Sequence, residues 1–139
     1  MGHLAAVRAA ASGHRGGVCF FAAAAVALDF DVPVTVGVLR SRKDGHLFVH
    51  AWVEHQDGLA FDATVPAHSG KPVADYRAVA NVVGDVCVVP VAVVRRLAKR
   101  HSFSSNVNRG ILPRQFAVDL VKASGLKVTE TATGSVIPA

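Results

Sequence analysis

The sequence predicts an α+β domain in which helices pack on a mainly antiparallel sheet. Three observations predict it. Residues 19–29 hold five alanines and no helix breaker, a composition that favours helix. Apolar and β-branched runs at 34–38, 46–55 and 59–65 read as strands, and Gln56-Asp57-Gly58 between the last two reads as a hairpin loop. Helical patterns then return at 71–81, 90–101 and 113–124, with one short apolar strand at 86–89. Helices that follow a run of strands point to α+β rather than alternating α/β order.

Each element has a local reason. Residues 4–11 are Ala-rich and read as a short helix, broken by Ser12-Gly13 and Gly16-Gly17. The next helix starts after two glycines, which leaves free backbone N–H groups near Cys19. Pro33 opens the first strand, and 40–45 is a charged turn. Pro72 lies near the start of the 71–81 helix, where a missing N–H costs nothing. Pro90 opens a helix with Val93, Val94, Leu97 and His101 on one face, residues 102–110 read as a loop, and Gly125 closes the helix begun at Pro113. Residues 126–131 complete the chain's regular structure as a last strand.

Composition narrows the class. Of 139 residues, 51% are apolar, and Ala (23) and Val (25) supply most of them. That length suits one domain, residues 1–139, with a core of its own. High hydropathy excludes intrinsic disorder, and two cysteines cannot staple a chain this long. The longest charge-free apolar stretch runs only from Val18 to Leu28, well short of the roughly 20 residues a membrane span needs. Arg8 and Arg15 precede it in an acid-free segment, a leader-like pattern. We read it instead as part of the folded domain, and the protein as cytoplasmic with reduced thiols. The net charge of +5 is unevenly placed. Residues 86–129 carry eight Arg or Lys against Asp119 alone, whereas acids outnumber bases in 16–62.

Three residues stand out as chemistry: Cys19, His50 and Asp62. A thiol attacks acyl carbon as thiolate, so it needs a lowered pKa or a neighbouring base. Cys19 sits at a predicted helix N-terminus, where the macrodipole favours negative charge. The N–H groups there, with Val18 the first of them, are oxyanion candidates. His50 can act as base, and a carboxylate can orient it.

Strand geometry sharpens the assignment. Phe48, His50, Trp52 and Glu54 share one strand face. A two-residue turn at Asp57-Gly58 would put Asp62 opposite Val53, pointing away from His50. A three-residue loop, Gln56-Asp57-Gly58, pairs His55 with Leu59 and Asp62 with Trp52, so that Asp62 becomes the diagonal neighbour of His50. Three-residue hairpin loops commonly end in a left-handed glycine, and Gly58 holds that place.

These strings resemble a family. Gly17-Val18-Cys19 entering an Ala-rich helix, Val34-x-Val36-Gly37, His50-Ala51-Trp52-Val53-Glu54 and Phe61-Asp62-Ala63-Thr64 are similar to the transglutaminase-like superfamily of papain-type thiol enzymes. The resemblance covers residues 13–66 and leaves the basic part, 86–131, unmatched. It implies a papain-like core in which the Cys-bearing helix packs on the sheet. It further implies Cys19 as nucleophile, His50 as base and Asp62 as the group that orients it, acting without cofactor or metal on a peptide or small amide or acyl substrate. Arg15-Gly16-Gly17-Val18-Cys19-Phe20 is also similar to the nucleophile motif of arylamine N-acetyltransferases. That motif continues with Glu and Asn, where this chain has Phe21 and Ala23.

Other readings stay open at this level. The protein could be a self-processing cysteine protease, or a non-catalytic module binding an anionic partner through Arg95, Arg96, Lys99 and Arg100. Those four residues also fit a solvated helix face. His46 and His50 lie on one strand face about 13 Å apart at 3.3 Å per residue, too far for one metal ion. Trp52 is expected against the Cys helix or lining the substrate cleft, His14 is a further oxyanion candidate, and Cys87 reads as core.

Overall fold

The computed structural model describes residues 2–12 and 17–139. Its element order is α1 (His3–Ala10), α2 (Val18–Phe30), β1 (Val34–Arg40), β2 (Leu47–Glu54), β3 (Leu59–Phe61), a 3₁₀ turn (Pro66–His68), β4 (Lys71–Pro72), α3 (Val73–Ala80), β5 (Val82–Val89), α4 (Val91–Arg100), α5 (Phe103–Asn108), α6 (Arg114–Ser124), β6 (Val128–Glu130) and β7 (Val136–Pro138). Five strands form an antiparallel sheet in the order β4-β3-β2-β1-β5, and β6 pairs with β7 apart from it. The architecture is α+β, as the sequence predicts.

Alternation along the strands divides the work of the two sheet faces. Val34 and Val36 of β1 and Val49 and Ala51 of β2 pack against α2 and the helices around it. Leu39 and Trp52, on the opposite face, pack with Ala60 and with Tyr76 of α3. Helix α2 is buried on every side from Phe20 to Ala27. A helix apolar all round must be enclosed, and here the sheet, α1, α4 and α6 surround it. Alanine makes this possible, because a small side chain lets backbones approach on several sides at once.

The β2–β3 hairpin takes the three-residue form. Val53 pairs with Phe61 and Glu54 with Ala60, and the His55 N–H donates to the Leu59 carbonyl at 2.9 Å. Gly58 closes the loop with φ +84°, a left-handed conformation that glycine adopts without steric cost.

Two predicted strand boundaries shift, and elements appear where none was predicted, β4 at the start of the 71–81 segment among them. β3 stops at Phe61 rather than at 65, because the Thr64 N–H turns back onto the Asp62 carboxylate. β5 begins at Val82, not 86: its pairing with β1 slips between Val36 and Val38, so a bulge absorbs Gly84-Asp85 inside the strand. Residues 102–110 hold a helix rather than a loop, since Phe103 and Val107 fall one turn apart and both bury. β7 adds a partner that pairs with the last predicted strand.

Gly37 packs closely under Trp52 on the face that carries His50. A β-carbon there would lie 2.9 Å from Trp52 Cη2 and 3.1 Å from Val86 Cγ1. Because Trp52 is fully buried it has little room to yield. Gly37→Ala is expected to lower stability by about 1–3 kcal/mol through overpacking, read from the midpoint of urea unfolding. A midpoint equal to the parent's would refute this account of the contact.

Candidate active site

Asp62 leaves the ladder one residue after β3 and turns its carboxylate toward His50. His50 Nε2 and Asp62 Oδ2 lie 2.7 Å apart, with both residues buried. The same oxygen accepts a hydrogen bond from the Tyr76 hydroxyl at 2.6 Å. Asp62 Oδ1 accepts from the Thr64 N–H at 3.1 Å and from the Thr64 hydroxyl at 2.6 Å. Ser69 closes the loop by accepting from the Asp62 N–H and donating to the Asp62 carbonyl, each at 2.9 Å. A buried carboxylate is tolerated only when donors replace its water, and Asp62 has four.

His50 is fixed from both sides as well. The Trp52 indole stacks beside its ring, with centroids 6.0 Å apart and planes 23° from parallel, and Phe48 meets it edge-on at 6.2 Å. Trp52 Nε1 donates to Glu54 at 3.0 Å, and Arg77 of α3 holds Glu54 with two bonds of 2.6 and 2.7 Å. The chain from Arg77 to Glu54 to Trp52 thereby orders the wall against which the imidazole rests.

Cys19 is the second residue of α2, a half-buried free thiol. Its thiol acts on the His50 imidazole by hydrogen bonding and by charge. With Nε2 engaged by Asp62, Nδ1 is the ring nitrogen that remains for sulfur. β3 pairs with β2 only at Val53 and Glu54, so the β2 edge alongside His50 has no strand partner on that side. Helix α2 begins after Gly17 with no side-chain cap on its first turn.

The electrostatics follow from this packing. Burial disfavours a charged His50, but its interactions with Asp62 and Cys19 outweigh that and raise its pKa to about 10. Burial alone would raise the Asp62 pKa; the hydrogen bond and charge of His50, with the bonds from Thr64 and Tyr76, instead hold it well below the usual carboxylate range. Burial and the neighbouring Asp62 carboxylate push the Tyr76 hydroxyl far above an ordinary phenol.

The structure brings Cys19, His50 and Asp62 together and corrects other expectations. Trp52 packs neither on the Cys helix nor along an open cleft: it lies fully buried on the opposite sheet face, between His50 and Tyr76. Strand alternation forces this, since the face that carries His50 also carries Trp52. Val18 is the first residue of α2, half-buried, and His14 lies outside the described residues. Cys87 is half-buried on edge strand β5 rather than in the core. Arg95 is ion-paired with Asp31, which interrupts the basic cluster; Arg96, Lys99 and Arg100 are exposed. Among the described residues no group of three His, Cys, Asp or Glu side chains is arranged as a metal site, and no helix is long and apolar enough to cross a membrane.

Sequence reading missed Thr64, Ser69 and Tyr76. Thr64 carried a signal, because a hydroxyl two residues after an Asp often bonds to it in a turn. The lone Tyr in the 71–81 helix carried another, since a buried Tyr hydroxyl needs a partner. Comparison with known proteins returned nothing: no family model, curated protein or solved structure matches the chain.

Two outcomes follow. Protonated His50 contributes its full stability below its ordinary pKa of 6.5 and loses it as pH rises toward 10. Asp62 contributes above its ordinary 3.8, a contribution lost only as pH falls beneath the usual carboxylate range. The melting temperature of the parent should therefore fall more steeply between pH 6.5 and 10 than that of His50→Gln; parallel curves would contradict the assignment. Tyr76→Phe removes a hydrogen bond to a charged group and should cost about 1.5–3 kcal/mol in denaturant unfolding.

Proposed function

We propose that the protein is a thiol-dependent acyl-transfer enzyme with a papain-like, transglutaminase-like core. Cys19 is its nucleophile, His50 its acid and base, and Asp62 the carboxylate that orients His50. The observation that carries this reading is the buried 2.7 Å His50–Asp62 pair, coupled through the same imidazole to a thiol at a helix start.

The chemistry runs in two steps. The sulfur of Cys19 attacks the carbonyl carbon of an amide, and the proton held on His50 passes to the departing nitrogen. A thioester forms, and ammonia or an amine leaves. Water or a second amine then gives a proton to His50, attacks the thioester carbon and releases Cys19. The developing oxyanion is met by backbone N–H groups of the α2 first turn, those of Val18 and Cys19. A peptide or glutamine-type amide is the substrate this favours. Two free thiols, Cys19 and Cys87, suit a reducing, cytoplasmic setting.

The test is rate-resolved alkylation by iodoacetamide between pH 5 and 9, with Cys87 as internal control. Cys19 should react about tenfold faster than Cys87 at pH 6, and His50→Ala should remove the excess. With a glutamine peptide and hydroxylamine as acceptor, hydroxamate should form, fall about 100-fold or more in His50→Ala and vanish in Cys19→Ala. Equal reactivity of the two thiols, unaffected by His50→Ala, would sink the enzyme reading.

A further inference from the structure

A cleft of about 410 Å³ lies beside β3, on the sheet face that carries α2. Its walls are Leu4 of α1, Val26 and Phe30 of α2, Val53 of β2, and Leu59 and Phe61 of β3. That volume is within the range of sites that hold small ligands or side chains. Two of the wall residues are aromatic and exposed, Phe30 at 68% and Phe61 at 50%. Large exposed aromatics framing one apolar cleft mark a contact surface rather than chance exposure.

The cleft borders the candidate active site without including Cys19, His50 or Asp62. Ala63, which follows Asp62 directly, lines it, and so does Ser69, whose hydroxyl bridges the Asp62 backbone. From that end it runs outward to Phe30, His55 and Asp57. Along α2, Val26 and Phe30 lie roughly 10 and 16 Å beyond Cys19 at 1.5 Å per residue. An extended peptide covers that distance in about three to five residues.

The polar rim sets the charge. His55 and Asp57 pair with each other at 3.2 Å. Exposed Arg8 lines the cleft and makes no ion pair among the described residues. Arg8 therefore places a guanidinium without an ion-pair partner among the described residues at the rim of this apolar site.

We infer that this cleft is a specificity subsite for an extended peptide substrate. It receives a bulky apolar side chain about three to five residues from the reacting amide, with an acidic group beside it on Arg8. The inference rests on the acyl-transfer reading for its register, while the cleft as a ligand site stands on its own lining.

Two measurements on the full chain test it. In Cys19→Ala, anilinonaphthalene sulfonate, an aromatic with one anionic group, serves as the binding probe. Its fluorescence should rise on binding, and Phe61→Ser and Arg8→Gln should each weaken binding about fivefold. Both side chains are exposed, so the fold survives their replacement. In the native chain, ten-residue Gly/Ser peptides carry one Gln and a Phe-Glu pair placed one to six positions away, with hydroxylamine as acceptor. KM should fall about tenfold at offsets of three to five; Phe61→Ser should erase that preference and leave kcat and the iodoacetamide rate of Cys19 unchanged. A reactive Cys19 with no offset preference, and dye binding indifferent to both substitutions, overturns the inference alone. A thiol inert to the peptides, with dye binding still lost in Phe61→Ser, overturns the acyl-transfer reading and keeps the ligand site. A dimer that Phe61→Ser dissociates assigns the cleft to a second copy and overturns the inference.

Discussion

A carboxylate cannot be buried unless hydrogen-bond donors take the place of water, and around Asp62 that requirement organises the molecule. Its four donors come from three separate pieces of chain. His50 belongs to β2, Thr64 to the turn after β3, and Tyr76 to α3. Satisfying one side chain therefore fixes the hairpin register, ends β3 early and docks α3 on the sheet. The imidazole then has a single anchored orientation.

The two sheet faces serve different ends. One is covered by a helix of alanines, whose small side chains allow α2 to be enclosed on all sides. The other carries His50, Trp52 and Gly37, where the indole fills the space that a side chain at 37 would need. The glycine and the tryptophan are one packing unit, tied through Glu54 and Arg77 to α3. Orientation of the imidazole is thus secured by rigid neighbours on β2 and α3 together with the Asp62 carboxylate in the turn after β3.

Much of this was legible in the residues. Period-two alternation assigned the faces of β2, and Gly58 at the end of a three-residue loop selected the register that brings Asp62 beside His50. The alanine run specified α2. Illegible parts share a cause: they depend on partners distant in sequence. Tyr76 finds Asp62 only once α3 crosses the sheet. α5 is hidden because Ser and Asn mask a Phe103–Val107 stripe of just two residues. The bulge in β5 arises from pairing with β1, since Gly84-Asp85 taken alone reads as a turn. Trp52 was misplaced because its position in the matched string suggested proximity to Cys19, when strand alternation already sent it to the other face.

The enclosure of α2 also sets an order in time. Its outer surface is completed by Phe116, Leu120 and Val121 of α6 and by Val136 of β7, in the same apolar cluster as Phe21 and Ala24. A ribosome delivers these residues about a hundred positions after Cys19, and contacts so far apart in sequence form late. While the chain is being made, the helix that carries Cys19 stays apolar and uncovered. Chain completion is therefore also the moment at which its thiol acquires a finished setting.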